Sequence, residues 1–201
     1  STPLYSSAAS DVYKRQAQVV HVDGAFDSST NRVVIVYMDG GNSNKGTAVV
    51  GSVDPSDNSI SFGTPVVFND AATINIYVAF DSNVNKIVIV YTDQGNSSAA
   101  TGIVGTVDSS DNSISFGSEA TFGAGNVDGI TFDSSNNKVV AVYGSSADSY
   151  HGAAAVGTIS GTSISFGTRV IYEAASSEHM SVTFDSSNDR VVTVSYTHLT
   201  L

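Results

Sequence analysis

Three stretches of the chain carry oxygen-bearing side chains at closely spaced positions, the kind of array that a hard cation or a sugar hydroxyl requires. They read MDGGNSNKG from Met38, TDQGNSSAA from Thr92 and GSSADSYHG from Gly144. In the first, Asp39, Asn42 and Asn44 place carboxylate and amide oxygens where a calcium loop would place them, because calcium is ringed by oxygen ligands. The acidic residue that should close such a loop is missing, so turn formation competes with calcium binding. Asp93 with Asn96 and Asp148 with Tyr150 are the corresponding polar residues of the other two stretches. A tyrosine precedes each stretch, at Tyr37, Tyr91 and Tyr143. Its ring could face the apolar side of a pyranose or close a hydrophobic core.

Other chemistries find little support. The chain has no cysteine, which removes thiolate nucleophiles, thiolate metal sites and disulfides together. His21, His151 and His179 are far apart and lack the paired spacing of a zinc site. No Gly-x-Ser-x-Gly elbow and no glycine-rich phosphate loop occurs. The expectation is no catalytic residue and no cofactor other than calcium.

These stretches sit inside a repeat. FDSSTNRVVIVY begins at Phe26, FDSNVNKIVIVY at Phe80, FDSSNNKVVAVY at Phe132 and FDSSNDRVVTVS at Phe184. The spacings are 54, 52 and 52 residues, and a second phrase, SISFG, recurs at Ser59, Ser113 and Ser163. Between Phe26–Phe68 and Phe80–Phe122, 26 of 43 positions are identical without a gap. A period of this size means one structural unit used several times. Three complete units are expected at about 19–68, 71–122 and 123–172, with a partial one at 173–194.

Within a unit the periodicity is that of β-strands, with Gly, Ser, Asn and Asp punctuating at short intervals. In the second copy the strands fall at about Ile76–Phe80, Lys86–Tyr91, Gly102–Val107 and Ser113–Phe122. The strand-two phrases RVVIVY, KIVIVY and KVVAVY are apolar at successive positions, the pattern of a strand buried on both faces. Strand three alternates bulk with glycine or alanine, as expected where neighbouring backbones crowd together. The link between strands three and four shrinks from DSSDN to SGT in the third copy while both flanking strands remain, which marks a hairpin. Asp27, Asp81, Asp133 and Asp185 each open the turn between strands one and two. They are expected to cap it and to face the basic residue five positions later (Arg32, Lys86, Lys138, Arg190).

Four-stranded antiparallel units with an inner strand buried on both sides describe β-propeller blades packed face to face. The fold expected is therefore all-β, a β-propeller of three complete blades plus a partial one, cut from a larger propeller. Small β-sandwich domains in a row are the competing architecture. Open ends would expose apolar faces and sheet edges, so self-association through blade edges is expected.

The ends stand outside the repeat. AASDVYKRQ near the first residue and VSYTHLTL at the last resemble translated linker sequence left on assembled environmental reads, and 1–16 and 195–201 are read as non-native tails. The natural protein is then expected to continue beyond both. The net charge of −11 belongs to the repeat, since the tails hold only Asp11, Lys14 and Arg15 among charged residues. Such acidity repels nucleic acid and anionic membrane surfaces. No apolar run reaches the roughly 20 residues of a membrane-spanning helix.

The repeat phrases FDSSNNKVVAVY and SISFG, over about 19–194, resemble the tandem β-propeller-type repeats of large surface and virion-associated proteins of environmental bacteria and phages. The resemblance implies an extracellular, cell-surface or virion-surface module for adhesion, recognising glycans through several weak equivalent sites made multivalent by repetition. Two alternatives stay open: a structural scaffold without ligand, and a carboxylate-dependent glycosidase or lyase with Asp39, Asp93 and Asp148 as first suspects.

Overall fold

The computed structural model describes residues 18–197, and strands occupy nearly all of them. The fourteen strands are β1 (Val19–Asp27), β2 (Arg32–Asp39), β3 (Lys45–Asp54), β4 (Ser59–Phe62), β5 (Val66–Asp81), β6 (Lys86–Asp93), β7 (Ala99–Asp108), β8 (Ser113–Phe116), β9 (Ala120–Asp133), β10 (Lys138–Ser145), β11 (His151–Ser160), β12 (Ser163–Phe166), β13 (Val170–Asp185) and β14 (Arg190–Thr197). Every pairing is antiparallel. Three single-turn 3-10 segments are the only helical pieces among the described residues. No helix there is long and apolar enough to cross a membrane.

Hydrogen bonding forms one open path, β1-β2-β3-β5-β6-β7-β9-β10-β11-β13-β14, with β4, β8 and β12 paired onto β3, β7 and β11. The long strands make it continuous. The first half of β5 lies beside β3 and its second half beside β6. The strands β9 and β13 repeat the device. Each unit is thereby a sheet that hands its last strand to the next sheet. Where one continuous strand four was expected over Ser113–Phe122, Gly117, Ser118 and Glu119 interrupt it and divide the work between β8 and the start of β9.

The sheets pack face to face, and this is what the successive apolar residues of strand two are for. In β6, Ile87, Ile89 and Tyr91 point to one side and join Val34, Val36, Ala48 and Val50 of the first unit. Val90, on the opposite side, joins Val127, Ala141 and Tyr143 of the third. Val88 does the same with Val139 and Ile164. All five consecutive residues Ile87–Tyr91 are 0% exposed. A strand open to water on either face could not bury such a run.

Strand three is glycine-rich for a reason other than backbone crowding. A Cβ on Gly46 would enter the ring of Phe68, and one on Gly102 the ring of Phe166 from the next unit. Aromatic rings of strand four, not neighbouring backbones, fill the space that strand three leaves.

The turns between strands one and two are built as Asp caps. Asp27 Oδ1 accepts from the amides of Ser29 and Thr30, and Asp81, Asp133 and Asp185 repeat the pattern. The basic partner lies opposite in register, as in Asp27↔Arg32. Arg32 nevertheless turns to the following unit, donating to Asn112 Oδ1 at 2.6 Å and to the Ser109 carbonyl at 2.7 Å.

At the two ends, burial stops. Phe26 is 54% exposed, and Val194, at the position of fully buried Val90, is 60% exposed. The segment 1–16 lies outside the described residues. Ser195, Tyr196 and Thr197 continue β14 without a break, with Tyr196 opposite Glu178 and Thr197 opposite Ser177.

Two substitutions separate the central sheets from the end. Replacing Ile89 with alanine should cost about 2–5 kcal/mol, since the side chain is enclosed on its sheet face. Val194→Ala should cost under about 0.5 kcal/mol. Urea unfolding of the two variants reads both.

Candidate functional site

The loops between strands two and three, where ligands were expected, are occupied by structural work. Asp39 caps a 3-10 turn, its Oδ1 accepting from Gly41 N at 2.9 Å, and Asp93 does the same for Gly95 at 2.9 Å. Asn42 and Asn96 end those turns, each followed by two residues with positive φ. The last residue of each loop then ties it to the next unit. The carbonyls of Asn44, Ser98 and Tyr150 accept from Thr73, Gly125 and Ser177, each at 2.9 Å. Asp148 accepts from Ser145 Oγ at 2.7 Å and forms an ion pair with Arg169 at 2.8 Å. The Ser145 hydroxyl, with Arg169 beside it, holds the Asp148 carboxyl below its usual range. Among the described residues, no three His, Asp or Glu side chains gather as a metal site would need.

Tyr91 and Tyr143 are fully enclosed. Tyr91 donates its hydroxyl to Glu119 at 2.8 Å, and its ring packs against Phe68. Tyr143 sits edge-on to Phe122. Burial raises both phenols, that of Tyr91 well above its ordinary range, and both rings belong to the core. Tyr37 is half-buried on the first sheet, which no preceding sheet among the described residues covers. Of the ten loop and tyrosine positions named from the sequence, Tyr150 alone lines the polar cavity between the first strands.

That cavity, of about 310 Å³, lies where strand one of the second, third and fourth units run side by side. Asn75 and Tyr77 enter from β5, and Asn126 and Asp128 from β9. Ser176, Ser177, Glu178 and His179 enter from β13, and Tyr150 closes one side from its loop. Local backbone chemistry explains the convergence. Strand one breaks register between Ile74 and Tyr77 and between Glu178 and Ser181, with Asn75 at φ 51° and His179 at φ 50°. Bulges of this kind re-aim side chains. Here they turn polar groups out of the sheet and into the space between units.

Asp128 is the odd member. Counting back from the Phe-Asp landmark, its position is held by Val22, Ile76 and Met180 in the other units. Ile76 and Met180 are buried, so an apolar side chain suffices for packing there. In the third unit Val127 turns inward instead, fully enclosed, and Asp128 faces the cavity. Burial pushes the Asp128 carboxyl up to about 6, against the amides of Met180 and Gly144 and the nearby His179, which favour its charged form; Glu178 adds to the rise. Tyr77 is raised in turn by burial and by the charges of Asp128 and Asp23.

The sequence held one usable signal for this site: an acidic residue at a frame position that is apolar in three other copies. Asn75, Tyr77, Asn126, Glu178 and His179 carried none, because strand one is the least regular segment of the unit. No protein-family model matches the chain, and no curated protein matches it either.

The chemistry is that of a small polar cavity. Two amides, two carboxylates and two tyrosines face one space, enough to satisfy neighbouring hydroxyls and offer an aromatic surface.

Because the Asp128 pKa is raised on folding from an ordinary value near 3.9, its stabilising contribution is complete below about pH 4 and lost as pH rises through 6. After allowance for solvent access, the loss is about 1 kcal/mol. The exposed caps Asp54, Asp108 and Asp185, whose pKa values are lowered by hydrogen bonds, act in the opposite sense as pH falls further. The stability of Asp128→Asn minus that of the native chain should therefore grow by about 1 kcal/mol between pH 4 and pH 7, read by denaturant titration at each pH.

Proposed function

We propose that the chain is a β-propeller-type recognition module that binds glycans, without turning them over, at a cell or virion surface. The observation that carries this reading is the polar cavity between strands β5, β9 and β13. Its volume of about 310 Å³ falls at the lower end of the range for small-ligand sites. Paired amides and carboxylates are suited to adjacent sugar hydroxyls, and Tyr77 and Tyr150 are suited to the apolar face of a pyranose ring. The stacked sheets, with consecutive units meeting along their first strands, support the propeller assignment.

The surface agrees with an extracellular role in one respect. A chain of net charge −11 does not seek phosphate backbones. The repeated frame would give one rigid scaffold with several binding positions, in which weak contacts add through multivalency. Exposed apolar residues at the two ends support association with further copies of the unit through open sheet edges.

The test is a glycan array followed by titration of the best ligand. Binding should weaken at least tenfold in Tyr150→Ala, whose side chain is 46% exposed and contributes little to the core. Asp93→Asn, which alters a turn cap, should leave affinity unchanged. Retention that depends on added calcium would move the site to the Asp39 loop. Hydrolysis of the bound glycan would replace this reading with a carboxylate-dependent glycosidase in which Asp128, protonated near pH 6, serves as the acid. Silence across the array would leave a structural scaffold.

A further inference from the structure

Two departures from the repeat meet in the polar cavity. Asp128 stands where Val22, Ile76 and Met180 stand in the other units. Tyr150 follows Tyr143 by the same count at which Asn44 follows Tyr37 and Ser98 follows Tyr91. Both residues line the cavity. Tyr150 does so with its backbone at φ 61°, a conformation that Asn44 and Ser98 also adopt but that a bulky side chain seldom tolerates. A strained backbone and a half-buried carboxylate both run against stability, and the third unit brings the two to one place.

The charges around that place do not balance. Asp128 and Glu178 supply two carboxylates, and among the described residues no Lys or Arg lines the cavity. The ion pairs formed by the described residues are Lys45–Asp70 and Arg169–Asp148, and none of those four side chains belongs to the lining. His179 is the one basic side chain there. Its attraction for the charged form of Asp128 is outweighed by burial, and Glu178 opposes it as well. The phenol rings of Tyr77 and Tyr150 complete the wall, and aromatic faces attract cations electrostatically. A neutral sugar would satisfy the amides and the rings but leave the carboxylates uncompensated. A sugar that brings its own positive charge satisfies all of them.

We propose that the sugar taken by this cavity is an amino sugar with a free ammonium group, held by Asp128 and Glu178 with its ring against the tyrosines. The proposal rests on the glycan reading and narrows it from sugars in general to cationic ones. Asn75 and Asn126 are then left for the hydroxyls. An acetyl group on the sugar nitrogen removes the charge, and with it the partner of the two carboxylates. The titratable groups around Asp128 are Tyr77 from β5 and Tyr172, Glu178 and His179 from β13. Both phenols are raised and stay neutral. As pH falls through 6, Asp128 takes up a proton and loses its attraction for the ammonium group. A His179 that gains charge adds repulsion in the same sense.

The test titrates methyl glucosaminide and methyl N-acetylglucosaminide into the full chain at pH 7, followed by NMR shifts of the Tyr77, Asn126 and Tyr150 amides. The amine form should bind about tenfold more tightly. That advantage should vanish in Asp128→Asn and shrink at pH 5. Asp189→Asn controls for attraction to an acidic chain as a whole. It removes one charge from the turn between β13 and β14, at a position held by Asn31, Asn85 and Asn137 in the other units. The advantage should survive it. Equal affinity for the two sugars, or preference for the acetylated one, would overturn the proposal and leave the glycan reading standing. So would an advantage that Asp189→Asn reduces as much as Asp128→Asn does. Silence from both sugars, with the same amides shifting on addition of tetramethylammonium, would overturn the glycan reading and this proposal together.

Discussion

Burial of strand two on both faces is the constraint from which the architecture follows. A run such as Ile87–Tyr91, with no exposed member, cannot belong to a sheet that faces water on one side. A sheet whose second strand is buried in this way must have a sheet before it and a sheet after it. A fifty-residue unit is too small to satisfy that requirement alone. Stability is therefore a property of neighbouring pairs, much as in other repeat proteins. The links between units follow the same logic. Shared long strands, loop carbonyls received by the next unit's first strand, and Arg32 reaching forward to the following turn all bind one layer to its successor.

This explains which parts of the molecule were legible in the sequence. The strand-two phrases and the hairpin turns follow short-range rules: successive apolar residues for double burial, Asp and Asn for turn caps. These rules placed strands two and three to within about three residues, whereas strand one, expected from Ile76, begins at Val66 because it is continuous with the end of the unit before. The loops were ambiguous because the same chemistry serves two ends. An Asp followed by Gly and Asn is as fit for capping a 3-10 turn as for holding an ion, and the caps at Gly41 and Gly95 engage one oxygen of each carboxylate. The tyrosines were ambiguous in a similar way. Tyr91 and Tyr143 close the core because another unit lies over them, whereas Tyr37, half-buried, has no unit over it among the described residues. Position in the stack, which no local pattern records, decides between core and surface.

The cavity was hidden for a different reason. It is made by bulges, and a bulge moves a side chain to the opposite face without altering the surrounding alternation of residue types. Asn75 and His179 take left-handed backbone conformations to achieve this. Neither residue announces it. The site exists only where three first strands align, so it belongs to no single unit.

Asp128 shows how one residue can depart from a repeated frame. The frame accepts an aliphatic side chain at that position in three units, with no cost in burial for Ile76 and Met180. An aspartate there is half-buried, is lifted in pKa by that burial, and faces Glu178. Packing alone would favour the aliphatic residue, since a poorly solvated carboxylate destabilises the fold at neutral pH. Its hydrogen bonds from the Met180 and Gly144 amides reduce that penalty but leave the pKa raised. What remains is a carboxylate aimed at a cavity that already contains amides, hydroxyls and tyrosine rings. Sites that run against local stability are where function is expected to sit. Among the described residues, that sets Asp128 apart from the aspartates that cap turns, such as Asp27, Asp39 and Asp93.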